Sequence, residues 1–132
     1  MATQSFLTES DMGVLEQAGE HRRYGKSEVI LQQRSECDRL FFIHSGIVQI
    51  DLSRFYGNDL LAHLGAGDLF GEISLLLGTR ASANAIAVED VEVLEIAYEQ
   101  LESALVDEGL ASRFYKSLAF TLARRLRSGN RD

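Results

Sequence analysis

The sequence predicts one mainly β domain, a barrel or sandwich flanked by helices, on three observations. Its 132 residues, 45% apolar and 25% charged, are enough for a single core and contain no linker, repeat or low-complexity tract. From about residue 22 to 97, short apolar runs alternate with glycines, which suggests seven or eight short strands rather than a parallel sheet with crossover helices. From about 98 to 128, apolar residues recur at helical spacing. One domain, 1–132, is therefore expected.

The elements follow in order. Thr8-Glu9-Ser10-Asp11 is a capping box that opens a packing helix carrying Met12, Leu15 and Ala18, and Gly19 stops it. Glu28-Val29-Ile30-Leu31 is a strand run. Phe41, Phe42 and Ile43 precede Ser45-Gly46, and Val48, Ile50 and Leu52 then alternate with Gln49 and Asp51, which predicts a strand pair bent around Gly46. Residues 54–59, with Gly57-Asn58, read as a hairpin turn before a strand at 60–64. β character resumes at 83–96, with a turn at Glu89-Asp90 and Val91 and Val93 on one face.

In the C-terminal part, Leu101 and Leu105 fit a short helix, and Gly109 separates it from a longer one. There Leu110, Phe114, Leu118, Leu122 and Leu126 recur every four residues. The stripe serves its own core, or it also drives a homodimer through Leu110, Phe114, Leu118 and Leu122, since it drifts around the helix toward Ala119 and Ala123.

Composition narrows the function classes. The single Cys37 cannot form an internal disulfide, which fits a reducing compartment. The start, Met1-Ala2-Thr3-Gln4-Ser5, has neither a basic segment nor an apolar run, and no stretch approaches the roughly 20 apolar residues of a membrane span. A soluble cytoplasmic domain without membrane contact is expected. From Arg113 onward six basic residues (Arg113, Lys116, Arg124, Arg125, Arg127, Arg131) face one acid (Asp132), a balance of plus 5; the rest carries minus 12 in a chain of net charge minus 7. The tail cations complement their helix dipole or meet an anionic surface or a second copy.

The chemistry concentrates in residues 64–83. Glycines at 65, 67, 71 and 78 flank the apolar run 73–77, which describes loop, one-turn helix and loop. Glycines let the backbone approach a ligand, and free N–H groups at a helix start attract an anion. Arg80 is a candidate for pairing with a phosphate, and the acid Glu72 makes sense as an acceptor for a sugar hydroxyl. Together these groups ask for a small sugar phosphate.

Phe70-Gly71-Glu72-Ile73-Ser74-Leu75-Leu76, followed by Gly78 and Arg80-Ala81-Ser82, resembles the phosphate-binding cassette of cyclic-nucleotide-binding domains. These are the sensor modules of catabolite-activator-type transcription factors, protein kinase A regulatory subunits and nucleotide-gated channels. Glu28-Val29-Ile30, Leu40-Phe41-Phe42-Ile43-His44-Ser45-Gly46, Gly67-Asp68-Leu69-Phe70 and Val93-Leu94-Glu95-Ile96 are similar to further signatures of the family, in order. The resemblance implies an eight-stranded jelly-roll barrel (a double-stranded β-helix), with an N-terminal helix and C-terminal lid helices. It implies a regulatory domain that binds cAMP or cGMP and signals through those helices, needing no other cofactor.

By the same resemblance, Phe70, Gly71 and the amides of Glu72, Ile73 and Ser74 go to the phosphate and Glu72 to the ribose hydroxyl. Arg80 is the phosphate-pairing arginine, and Ala81, Ser82 and Ala83 form the returning wall. Tyr115 or Arg124 on the lid is a candidate for the base. The register departs in one respect. The family arginine commonly lies about nine or ten residues after the glutamate, whereas Arg80 follows Glu72 by eight, so a strand in family register puts Ala81 in its place. A one-residue slip turns a strand side chain to the opposite face. A charge-assisted phosphate contact is worth roughly 1.5–3 kcal/mol, one to two decades of affinity. Two functions therefore stand side by side, a cyclic-nucleotide sensor and a degenerate, ligand-independent module for dimerisation or protein docking. At Arg34-Ser35-Glu36 the family commonly has a Gly-Asp turn, which concerns folding.

Other classes find no support. Ser74 lacks the His and Asp context of a hydrolase, so no enzyme is expected. His21, His44 and His63 have no metal-ligand spacing with Cys37 or the acids, so no metal is expected. Phe41-Phe42 and Phe114-Tyr115 read as core aromatics. Glu89-Asp90 and the acids at 99–102 read as solvated charges. No helix-turn-helix follows Arg127, so direct DNA binding is not expected.

Overall fold

A computed structural model describes residues 6–128. The opening residues 1–5 and the tail charges Arg131 and Asp132 lie outside the described residues. Helix α1 (Glu9–Ala18) starts where the capping box places it: Thr8 Oγ1 accepts from the Asp11 amide, and the Asp11 carboxylate accepts from the Thr8 amide. Its terminal Gly19 leads into β1 (Glu20–Tyr24).

The strands that follow are β2 (Val29–Leu31), β3 (Arg39–Ser45), β4 (Val48–Arg54), β5 (Gly57–Leu64) and β6 (Leu69–Phe70). Helix α2 (Glu72–Leu77) then precedes β7 (Asn84–Ala87) and β8 (Val91–Ala97), and α3 (Tyr98–Ala104) and α4 (Glu108–Arg127) complete the chain. Two four-stranded antiparallel sheets result, in the orders β1-β8-β3-β6 and β2-β7-β4-β5. This is the jelly-roll arrangement of eight strands with flanking helices that the sequence predicts.

The run Leu40-Phe41-Phe42-Ile43 shows why the core has two layers. Phe41 and Ile43 point between the sheets and pack with Val48, Ile50, Leu64, Phe70, Ala85, Val91 and Val93. Leu40 and Phe42 point the other way and join Leu15, Leu69, Leu94, Ile96, Leu101, Phe114 and Leu118, so the helices cover the outer face of the β3 sheet. A strand buried on both faces reads as continuously apolar. Each such Leu or Phe contributes about 1.5–3 kcal/mol by leaving water.

Four expectations change. The bend at Gly46 (φ +92°) carries the chain from one sheet to the other, so β3 and β4 are not hydrogen-bonded partners. A Cβ at Gly46 would lie 2.4 Å from the Asp90 carbonyl oxygen, which explains the glycine. The hairpin tip is Phe55-Tyr56, two residues before Gly57-Asn58, because Arg54 pairs with Gly57. Gly109 lies inside the first turn of α4, and it is Asp107 that starts the helix, accepting from the Leu110 amide. Strand β1 begins at Glu20; its Glu-His-Arg-Arg-Tyr sequence lacks the apolar alternation that marks a strand.

The α4 stripe is also corrected. Leu110, Phe114 and Leu118 are buried in their own domain and Leu122 packs partly against it, so these residues do not present a dimer face. The helical period of 3.6 moves the buried face from Leu118 to Thr121 and Arg125, while Leu126 is 77% exposed. Tyr115, expected in the core with Phe114, is on the surface at 47%. Arg113 clamps α1 to α4 with a two-pronged contact to Asp11 at 2.6 and 2.8 Å. That guanidinium holds the Asp11 carboxyl well below the usual carboxylate range. Among the described residues no helix is long and apolar enough to cross a membrane.

Candidate ligand-binding site

A pocket opens between the two sheets beside α2. Gly71 caps α2 in the left-handed region (φ +91°), and a Cβ there would lie 2.7 Å from the Arg39 carbonyl oxygen. No other residue fits without moving β3. This turn delivers Glu72 and Ser74 to the pocket in buried positions, 4% and 5% exposed. Ile73, Phe70, Ala81, Ser82 and Ala83 complete the wall together with Leu31, Ile50, Leu64, Asn84 and Ala85. Eight of the nine residues singled out in the sequence thus line one cavity.

Arg80 is the ninth, and it is elsewhere. Its side chain, 66% exposed, turns to the surface, where it donates to the Arg34 carbonyl oxygen at 3.2 Å and pairs with Glu36 at 3.1 Å. Ala81 takes the inward position at 4% exposure, its amide bonded to the Ser35 carbonyl oxygen and its own carbonyl to the Arg34 amide. The segment is locked in the register that faces an alanine, not an arginine, into the pocket. Arg34-Ser35-Glu36, remote in the sequence, is what holds Arg80 outside.

The cation in the pocket comes from α4. Arg125, 8% exposed, donates to Glu72 Oε2 at 3.3 Å and to the Leu69 carbonyl oxygen at 2.7 Å. With Arg125 inserted, the cavity holds about 40 Å³, room for a few waters and far less than a nucleotide. Sequence reasoning missed this residue and considered its neighbour Arg124. The available signal was a charged residue about four turns beyond Leu110, in register with the buried stripe. On the far side, Asn84 bonds Asp51 and Ser53 at 2.8 Å, so a fully satisfied polar network closes the pocket wall.

Other sequence candidates lie apart from the pocket. His21 and His44 meet edge to face at 5.8 Å, and His63 borders the cleft beside Arg124 and Arg127. Among the described residues no group of three or more His, Cys, Asp or Glu side chains is placed to hold a metal.

Comparison with known proteins agrees with this architecture. The family model described as "Cyclic nucleotide-binding domain" matches residues 21–108. The cyclic AMP receptor protein of Thermus thermophilus is 36% identical over 112 residues, covering 84% of this chain and 50% of that protein. The crystal structure of the Thermus thermophilus catabolite activator protein superposes with a TM-score of 0.83 at 32% identity, over 96% of this chain and 58% of the other. A regulatory subunit of a cAMP-independent protein kinase A from Trypanosoma brucei shares the fold, with a TM-score of 0.77 at 20% identity, over 90% of this chain and 42% of that one. The chain thus spans about half the length of the Thermus relatives it matches.

Proposed function

Because this chain belongs to the cyclic nucleotide-binding domain family, we propose that it is a non-enzymatic regulatory sensor that takes cAMP or cGMP in the pocket beside α2 and signals through α3 and α4. The observation that carries this reading is the Arg125–Glu72 contact, which ties the pocket floor directly to the last helix. Glu72 is the acceptor for a ribose hydroxyl, the backbone around Gly71, Ile73 and Ser74 receives the phosphate, and Ala81, Ser82 and Ala83 flank it. A nucleotide of ordinary size requires Arg125 to withdraw from the 40 Å³ cavity, so ligand entry and α4 displacement are one event. The ligand then shifts α4 only by its differential affinity for the two helix positions. Isothermal titration with each nucleotide tests this: saturable heat supports the sensor, and none at millimolar ligand removes it.

A second reading is favoured by one observation, the inward Ala81 where the resemblance expects an arginine. Here Arg125 is the permanent occupant and the domain is a ligand-independent docking or dimerisation module. The Trypanosoma brucei subunit, described as belonging to a cAMP-independent kinase, makes such a use of the fold plausible.

Under either reading we place a homodimer contact on the outer face of α4. Tyr115, Ala119 and Leu126 follow one another at spacings of four and seven, so they share one side of the helix, and all three are exposed. No direct DNA or membrane contact is proposed for these residues, and the fold acts within a soluble, cytoplasmic setting.

A further inference from the structure

Helix α2 has six residues and β6 has two, so the pocket segment makes few hydrogen bonds of its own. Its first helical bond, from the Leu75 amide to the Gly71 carbonyl oxygen, is long at 3.4 Å. The same carbonyl oxygen receives a much shorter bond, 2.5 Å, from the Tyr98 hydroxyl. Tyr98 is the first residue of α3. The Cys37 sulfur lies 3.4 Å from the Tyr98 oxygen and 3.5 Å from the Arg39 carbonyl oxygen, the atom against which Gly71 is fitted. A phenol has one proton, which the Tyr98 hydroxyl donates to the Gly71 carbonyl oxygen, and the one proton of the thiol is directed at the Arg39 carbonyl oxygen, so Cys37 packs against the Tyr98 oxygen within one chain of polar contacts. Burial, followed by the bond with Cys37, pushes the Tyr98 hydroxyl far above its ordinary value, which keeps that proton in place across the physiological range.

We infer that Tyr98 is a positioning residue for the pocket: its hydroxyl fixes the Gly71 turn that aims Glu72 and joins the start of α2 to the start of α3, with Cys37 holding the hydroxyl in line. The inference rests on the reading of this pocket as the ligand site. It gives the site two separate attachments to the C-terminal helices, Tyr98 at the beginning of α3 and Arg125 near the end of α4.

Tyr98→Phe in the full chain keeps the ring and removes only the bond. Loss of one such hydrogen bond moves a local opening equilibrium by about two- to tenfold. Amide exchange measured by NMR is therefore expected to accelerate by about that factor at residues 72–77, with β3 and β8 unchanged. Titration with cAMP and cGMP is expected to weaken by a similar factor. Unchanged exchange at 72–77, or equal acceleration throughout the barrel, overturns the inference. Accelerated exchange confined to 72–77 in a protein that binds neither nucleotide upholds the positioning role and removes the ligand reading instead.

Discussion

The Arg125 guanidinium and the Glu72 carboxylate, 53 positions apart, meet at 3.3 Å inside the domain, where they are 9% and 5% exposed. Each neutralises a charge that would otherwise be buried at high cost. Arg125→Ala is expected to lower stability by about 3 kcal/mol in urea unfolding, because Glu72 stays buried without this cation. The double variant Glu72→Met, Arg125→Met is expected to recover at least half of that loss, which distinguishes an uncompensated charge from lost packing.

Ala81→Arg tests the proposed phosphate position. An arginine there starts from the inward-facing position, so if the pocket takes the nucleotide as proposed, affinity is expected to rise by one to two decades, about 1.5–3 kcal/mol. Calorimetric titration against the wild type measures it. An unchanged affinity would assign the anion to a different part of the wall.

Gly71→Ala places a methyl 2.7 Å from the Arg39 carbonyl oxygen at a φ of +91°. A loss of about 2 kcal/mol or more is expected in denaturant unfolding, with the β3–β6 pairing disturbed first. Leakage of that disturbance to the distant β4–β5 hairpin would point to global unfolding rather than local strain.

His21 bridges α1 and β8 through Glu16 at 2.6 Å and Glu92 at 3.2 Å, with the His44 ring against its edge. The hydrogen bond with Glu16 is the largest effect and, helped by the charges of Glu16 and Glu92, raises it above the ordinary 6.5 despite the opposing effect of burial. A raised value means that the folded state binds the proton more tightly. The stabilisation is complete below about pH 6.5 and is lost as pH rises through the higher folded value. With the side chain 41% exposed, screening keeps it to about 0.5 kcal/mol. Unfolding free energies at pH 6 and pH 9 are expected to show this difference in the wild type and not in His21→Gln.

Leu126→Glu tests the outer seam of α4. Leu126 is 77% exposed, so the fold should be unaffected while a charge enters the proposed contact. Sedimentation is expected to show a dimer for the wild type and a monomer for the variant at the same concentration.

What the sequence made legible was local. The capping box at Thr8, the doubly buried β3 run and the Gly71-Glu72 turn each depend on neighbours within a few positions, and each stands where those neighbours put it. What it concealed depends on distant partners. Strand β1 is polar because Arg22 and Arg23 pair with Glu95 and Glu92 of β8 instead of filling the core, so it carries no apolar signature. Arg80 points outward because residues 34–36, far along the chain, bond its segment. A strict four-residue spacing in α4 followed Leu122 and Leu126 outward, while the true helical period led to Arg125.

The segment that carries the pocket pairs with β3 at two rungs, Phe41 with Phe70 and Phe42 with Leu69, extended by backbone bonds from the Ile43 amide to the Asp68 carbonyl oxygen and from the Gly67 amide to the Ile43 carbonyl oxygen. The neighbouring β3–β8 ladder has six. An edge this short opens at less cost than the longer ladder beside it, so fraying of this segment ahead of the rest of the barrel is the expected order of local opening. A partner or small molecule that prefers a frayed form of this segment would gain access without unfolding the domain.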